Sequence, residues 1–325
     1  MSQLLSTNPY PNRDEIDPDE DGMGYALRMA TANGLTFSDL ARTLASPGHC
    51  YVPATASSAV AFMFGCNPTR LQRAFVMRRF KGEGFAAEFL TLDFLRPYQL
   101  RQNIPQICPA CIEISLRARA SWAVSIVTSC PIHKLRLIDR CACGRRVSWR
   151  RPSINFCECG RGLTTFDQNC RPASWQELEA SSHMEFLLGR PHFRLTGSDP
   201  LLTWLDDVTA DTFARLVWAF GVIEDEQVKD FPPSSNRIYS TDEMAIIVER
   251  SITRLLNLRA KRPLPGELRV SYTALGALQK DCASIADLPM IQTIIGHVVK
   301  KLPAGRRIRP RLTPSPQLRL FEDDA

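Results

Sequence analysis

Long hydrophobic runs are missing from this sequence of 325 residues. The two longest, Ala59 to Cys66 and Leu216 to Ile223, have eight residues each. A helix that crosses a bilayer needs roughly 20. The N-terminal residues also lack the basic start, apolar stretch and small-residue cleavage site of a secretory signal. We therefore expect a cytoplasmic protein without a membrane span.

Short motifs of the common enzyme classes are missing as well. The sequence has no G-x-x-x-x-G-K-[ST], no G-x-G-x-x-G, no G-x-S-x-G and no H-E-x-x-H. These absences argue against the commonest ATPases, dinucleotide-binding enzymes, serine hydrolases and metalloproteases. A nuclease or transposase with scattered carboxylates leaves no short motif and stays open as a weaker alternative. We expect a protein that is not an enzyme.

Positive charge is concentrated in the middle of the chain. The sequence has 40 Lys and Arg against 34 Asp and Glu, but residues 96–175 hold 13 basic and only four acidic residues. Residues 1–24 and 176–298 are each net acidic by five charges. A basic segment of this kind suits a surface that faces phosphate groups, with ordinary solvated charge as the alternative.

Helical periodicity predicts a mainly α fold. Asn33-Gly34 predicts the end of a first helix, and Thr36 with Asp39 predicts a capping box on the next, so the pair is a candidate helix-turn-helix. Residues 69–79 are expected to form another helix with a basic side. In the C-terminal half, helical periodicity extends over residues 176–188, 209–224, 241–259 and 271–301.

The chain contains 11 cysteines, and a disulfide framework is not expected in a reducing cytosol. Eight potential ligands form four pairs: Cys108 with Cys111, Cys130 with His133, Cys141 with Cys143, and Cys157 with Cys159. Pairs of soft donors one or two residues apart are typical of closed tetrahedral zinc sites. We predict two structural Zn²⁺ ions, bound in zinc-ribbon knuckles with short β-hairpins.

The four pairs have two possible arrangements. In a sequential arrangement, the first two pairs bind one ion and the last two bind the other, and the loop of 13 residues between Cys143 and Cys157 favours this closure. A cross-brace is the alternative. Gly144 and Gly160 follow the knuckles, where a tight turn commonly needs a positive φ. Cys170 could replace a ligand.

Six arginines around these motifs are candidate nucleic-acid contacts: Arg136, Arg140, Arg145, Arg146, Arg150 and Arg151. Trp149 lies among them. In one interpretation, the arginines contact phosphates and Trp149 stacks on a base or sugar. In the other, Trp149 covers the small zinc core and the arginines only face water.

Two segments resemble the TniQ family, which includes the TnsD-type target selectors of bacterial transposons. The first is GYALRMATANGLTFSDLARTL, which starts at Gly24. The second is ICPACIEISLRARASWAVSIVTSCPIHKLRLIDRCACG, which starts at Ile107, and CECGRGL resembles the last knuckle. The single residue between Cys141 and Cys143 departs from the expected gap of two.

The resemblance implies a non-catalytic transposition protein that selects a target through DNA or a CRISPR guide complex. It would link that target to an AAA+ ATPase regulator of the TniB or TnsC type, while the transposase is a separate chain. Helix-turn-helix and zinc-ribbon elements would bind DNA or proteins in the bacterial cytoplasm, near the nucleoid, and a homodimer is possible. The alternative is a zinc-ribbon, helix-turn-helix transcription regulator that binds its own operator.

The sequence predicts five segments in order. They are an extended acidic leader (1–22), an N-terminal helical module (23–105), a double zinc-binding segment (106–170), a helical C-terminal domain (171–300) and a basic flexible tail (301–325).

Overall fold

The structure is a computed structural model of the chain. It describes residues 9–45, 51–81, 84–194, 201–223, 238–260 and 270–299. The first eight residues of the predicted leader and the whole predicted tail lie outside the described residues. The described part is mainly α, as the sequence predicts. None of its helices is both long and apolar enough to cross a membrane.

Four short helices open the fold: α1 (Gly22–Ala32), α2 (Phe37–Leu44), α3 (Ser57–Phe64) and α4 (Pro68–Ala74). Asn33 caps the end of α1, and Gly34 follows with a φ of 71°. The capping box of Thr36 and Asp39 then starts α2, which confirms both predicted signals. Helices α3 and α4 pack against each other across a turn at Gly65, whose φ is 80°.

A three-stranded antiparallel sheet follows α4, in the order β1 (Met77–Lys81), β2 (Gly84–Phe89) and β3 (Leu92–Phe94). The helix predicted over residues 69–79 is therefore wrong beyond Ala74. Its last residues pair with β2, and this pairing overrides the helical pattern of a short apolar window. The sheet was not predicted.

The Cys-rich middle contains little regular structure. Its elements are a helix, α5 (Pro109–Ser115), and a hairpin of β4 (Ser129–Cys130) and β5 (Leu135–Arg136). Beyond the hairpin, the backbone forms single antiparallel bridges, such as Arg140 with Arg146 and Phe156 with Gly162. The predicted short hairpins are thus reduced to single bridges in the second half of the segment.

The described residues of the C-terminal part form five α-helices: α6 (Trp175–Leu187), α7 (Ala210–Gly221), α8 (Thr241–Arg259), α9 (Tyr272–Lys280) and α10 (Leu288–Val299). The single helix suggested by the periodicity of residues 271–301 is two helices. Between them, Asp281 accepts hydrogen bonds from Arg215 of α7. Asp287 accepts hydrogen bonds from Thr209 and Thr212 at the start of α7. These contacts fix the break between α9 and α10 against α7.

One continuous core of buried apolar side chains joins these parts. It includes Phe64 of α3, Trp122 and Cys130 of the middle segment, and Phe213 of α7. The core therefore extends across the predicted segment boundaries after residues 105 and 170. The division of the chain into domains at these boundaries stays a prediction. Arg136 of β5 adds a polar connection, because its guanidinium contacts carboxylates on α6 and α8.

The described part of the acidic leader contacts the N-terminal helices. Residues 9–21 have an irregular backbone, and the N–H groups of Tyr10 and Asp14 donate to the carbonyls of Met63 and Phe64 at 2.9 and 3.1 Å. Ile16 is buried in the core. Residues 9–21 thus pack on the end of α3.

Candidate metal centres

The first candidate site joins the start of α5 to the β4–β5 hairpin. Cys108 is the N-cap of α5 and Cys111 lies in its first turn. Cys130 ends β4, and His133 lies in the turn to β5. Lys134 completes this turn with a φ of 55°, and its N–H donates to the Cys130 carbonyl at 2.8 Å. The turn brings Cys130 and His133 next to Cys108 and Cys111 at the start of α5.

The ligand atoms of this first site lie within 4.8 Å of one another. Cys111 Sγ is 3.2 Å from His133 Nδ1 and 3.6 Å from Cys130 Sγ, and Cys108 Sγ is 3.6 Å from Nδ1. Zn–S bonds of about 2.3 Å place the sulfur atoms of a tetrahedral site about 3.8 Å apart, so the spacing fits. All three cysteines are buried. Hydrogen bonds from the Cys108 and Cys111 thiols hold the pKa of Cys130 well below its usual range.

The second candidate site is built from two similar turns. The Gly144 N–H donates to the Cys141 carbonyl at 2.8 Å, and the Gly160 N–H donates to the Cys157 carbonyl at 2.9 Å. The two glycines have φ values of 87° and 84°, as their positions after the knuckles predict. A side chain in place of either glycine would strain its turn.

Four sulfur atoms close the second site, again within 4.8 Å of one another. The Sγ atoms of Cys141 and Cys159 are 3.9 Å apart, and those of Cys143 and Cys157 are 4.0 Å apart. The structure therefore groups the pairs sequentially and not as a cross-brace. Cys143 and Cys159 are exposed, whereas all three cysteines of the first site are buried. Solvent and chelators thus reach the second site more easily.

The other described cysteines lie outside both groups. The Cys170 thiol faces the carbonyl of Thr165 at 4.0 Å, and it is not among the clustered ligands. Cys66 is buried in the core of the N-terminal helices, as expected for a small apolar residue. Cys50 lies outside the described residues.

Four of the six candidate arginines are exposed around the second site: Arg140, Arg145, Arg146 and Arg150. We call these four the knuckle arginines. They lie on the turns that carry Cys141 and Cys143 and on the loop that leads to Cys157.

The other two arginines correct the sequence-based assignment. Arg136 donates two hydrogen bonds of 2.9 Å to Glu177, and it also contacts Asp242 and Glu249. Arg151 is only 1% exposed, and burial lowers its pKa to about 9. The Arg136 guanidinium is held by carboxylates and the Arg151 guanidinium is buried, so neither is available to phosphates.

Trp149 is a core residue. Its ring is only 5% exposed, and its Nε1–H donates to the Gln102 carbonyl at 2.9 Å. The buried ring is therefore not available to stack on a base, as one of the two interpretations required. Trp122 is also buried.

Sequence reasoning missed two buried polar residues that anchor the metal segment. Asp139 accepts hydrogen bonds from the Arg101 guanidinium at 2.7 Å and from the Thr241 N–H at 3.1 Å. Gln168 contacts Ala142 in the first turn of the second site and Gly162 just after the second turn. The sequence offered one sign of the role of Asp139: it is one of only four acidic residues in the strongly basic segment 96–175.

Comparison with known proteins matches one family. No curated protein is significantly similar in sequence to this chain. Residues 11–137 match the TniQ family, and this range contains α1 to α5 and all four ligands of the first site. The second site lies beyond the matched range, so its assignment depends on ligand geometry alone. This match over residues 11–137 confirms the resemblance to the TniQ family that the sequence segments predict.

Proposed function

We propose that this chain is a non-catalytic accessory protein of DNA transposition that selects the target site. The match to the TniQ family at residues 11–137 is the observation that carries the proposal, because this family acts in transposition. The protein would act in the bacterial cytoplasm by binding DNA and other transposition proteins.

Both candidate sites are proposed to hold structural Zn²⁺. One site offers three sulfur ligands and an imidazole, and the other offers four sulfur ligands. These are donor sets that zinc prefers, and four protein ligands leave no position for water or substrate. Ion binding would supply folding free energy to a segment that has few helices and strands.

The knuckle arginines are the proposed DNA contact. Residues 140–167 contain six arginines and only two acidic residues, Glu158 and Asp167. The surface therefore carries an excess of guanidinium groups. Such groups neutralise phosphates and position a protein on DNA without reading its bases.

Helices α3 and α4 are a second proposed DNA contact. Two helices joined by a short turn that contains glycine are compatible with a helix-turn-helix, in which the second helix approaches DNA. Helix α4 exposes Arg70 and Arg73. In the pair proposed from sequence, α1 and α2, the second helix exposes only one basic side chain, Arg42. Charge therefore favours α3 and α4 over the pair first proposed.

Protein partners have a separate candidate surface near the first metal site. Glu113 of α5 accepts a hydrogen bond from the Thr165 hydroxyl, and each of these two residues is followed by an exposed apolar residue, Ile114 and Phe166. Ile114 is 75% exposed and Phe166 is 95% exposed. Exposed apolar groups of this kind suit contact with another protein. The proposed partners are an AAA+ ATPase regulator and a CRISPR guide complex, and the chain could also form a homodimer.

Capture of the tagged full chain from its own host tests this function. We expect an AAA+ ATPase to be retained with and without nuclease treatment. DNA that is retained alone and lost after nuclease treatment would favour the operator-binding regulator instead. Retention of neither would contradict both functions.

Substitution of a single knuckle arginine by alanine should weaken binding to duplex DNA of any sequence. Each neutralised phosphate contributes about 0.9 to the slope of log affinity against log salt, so each substitution should make the slope shallower by about one. Fluorescence anisotropy at several salt concentrations measures this slope for Arg145→Ala, Arg146→Ala and Arg150→Ala.

The matched control is Arg42→Ala on α2, which removes the same charge from another exposed position. Its slope should equal that of the unmodified chain. Equal slopes for the control and the knuckle variants would show that general charge, and not this surface, governs binding.

A further inference from the structure

Gln168 lies just after the second metal site and outside its ligand pairs. Its side chain is 7% exposed, whereas its neighbour Asn169 is exposed. A buried amide needs partners for one acceptor and two donors. The partners of Gln168 all belong to the second site.

The Gln168 amide joins the two turns of this site. Its Oε1 accepts a hydrogen bond from the Ala142 N–H at 2.8 Å, in the first turn. Its Nε2 donates to the Gly162 carbonyl at 2.5 Å, directly after the second turn. The same nitrogen donates to the Cys141 sulfur at 3.6 Å, so all three functions of the amide are used.

We infer that Gln168 is a positioning residue for the second metal ion. The N–H···S contact orients the Cys141 sulfur and stabilises its negative charge when it is a metal ligand. The other two hydrogen bonds hold the first turn, with Cys141 and Cys143, against the second, with Cys157 and Cys159. Outer contacts of this kind typically change metal affinity by about 10- to 100-fold when they are removed.

The hydrogen bonds of Gln168 matter because the second site is partly exposed. Cys143 and Cys159 are exposed although Cys141 and Cys157 are buried, so burial protects an ion less here than in the first site. Retention then depends on how firmly the two turns are held together. This inference rests on the proposal that the second site binds a metal ion, and it adds a residue that the ligand spacing does not reveal.

Two variants separate the role of the amide donors from simple packing. Gln168→Glu keeps the length and an acceptor for the Ala142 N–H, but it removes both donors. Gln168→Met keeps the length and removes the donors without adding charge. Asn169→Ala is the matched control, because it changes an exposed amide at the neighbouring position.

The experiment uses the full chain loaded with Zn²⁺ or Co²⁺. A chromogenic chelator measures the retention of each Zn²⁺ ion, and absorption measures the sulfur-to-cobalt charge-transfer band. We expect one ion to be held about 10- to 100-fold less tightly in both Gln168 variants, with a shifted band. The other ion, the helical circular dichroism and the Asn169→Ala chain should remain as in the unmodified chain.

Three results would overturn this role. Unchanged retention and an unchanged band in both variants would show that Gln168 does not act on the ion. Loss of both ions together with the helical signal would show that the residue only supports the fold. Failure of the unmodified chain to bind a second ion would instead refute the metal assignment in the proposed function.

Discussion

Substitution of Cys130 by serine is expected to remove one metal ion and most of the folded stability. Cys130 has no exposed surface and belongs to the continuous core. Its neighbour Ser129 bonds to Ser181 of α6, so β4 connects the first metal site to the C-terminal helices. Structural zinc contributes about 10–16 kcal/mol of apparent binding free energy. A domain has only about 5–15 kcal/mol of net stability.

Thermal unfolding followed by circular dichroism, with zinc analysis, tests this expectation. Cys143→Ser should also lose one ion, but it should keep most of the helical signal because its ligand is exposed and lies outside the core cluster. Cys170→Ser should keep two ions, since this thiol belongs to neither site. A Cys130→Ser chain that melts at the same temperature as Cys170→Ser would contradict the account.

Substitution of Asp139 by alanine is expected to destabilise the chain by about 3–5 kcal/mol, the usual effect of leaving one partner of a buried ion pair alone. The Arg101 side chain has no exposed surface, and the Asp139 side chain is 9% exposed. Burial already lowers the pKa of Arg101, and Asp139 offsets part of that effect. The carboxylate also accepts the Thr241 N–H at the start of α8. Its removal would loosen the metal segment from α8.

Urea denaturation measures this change as a lower midpoint. Arg140→Ala, at the exposed neighbouring position, should change the unfolding free energy by no more than about 0.5 kcal/mol. A double variant, Arg101→Met with Asp139→Leu, should recover part of the stability because no charge remains buried. An Asp139→Ala chain as stable as Arg140→Ala would show that the ion pair does not anchor α8.

Local signals were sufficient to predict several features of the fold and site. The Asn33-Gly34 turn and the Thr36–Asp39 capping box involve residues close in sequence, and both are present. The four ligand pairs are also local, because each pair lies on one turn. Their sequential grouping agrees with the arrangement that loop closure favours.

Features that depend on distant residues were not predictable in this way. Strand β1 exists because it pairs with β2, although its sequence continues the helical pattern of α4. The break between α9 and α10 depends on contacts from α7 to Asp281 and Asp287. A sequence shows how many arginines surround a motif but not which of them meet carboxylates, as Arg136 does.

Native mass spectrometry of the purified full chain tests the central claim, that two metal ions organise the Cys-rich segment, most directly. We expect a folded chain whose mass exceeds that of the denatured chain by two zinc ions, less the protons they displace. A folded chain with well under one ion would contradict it.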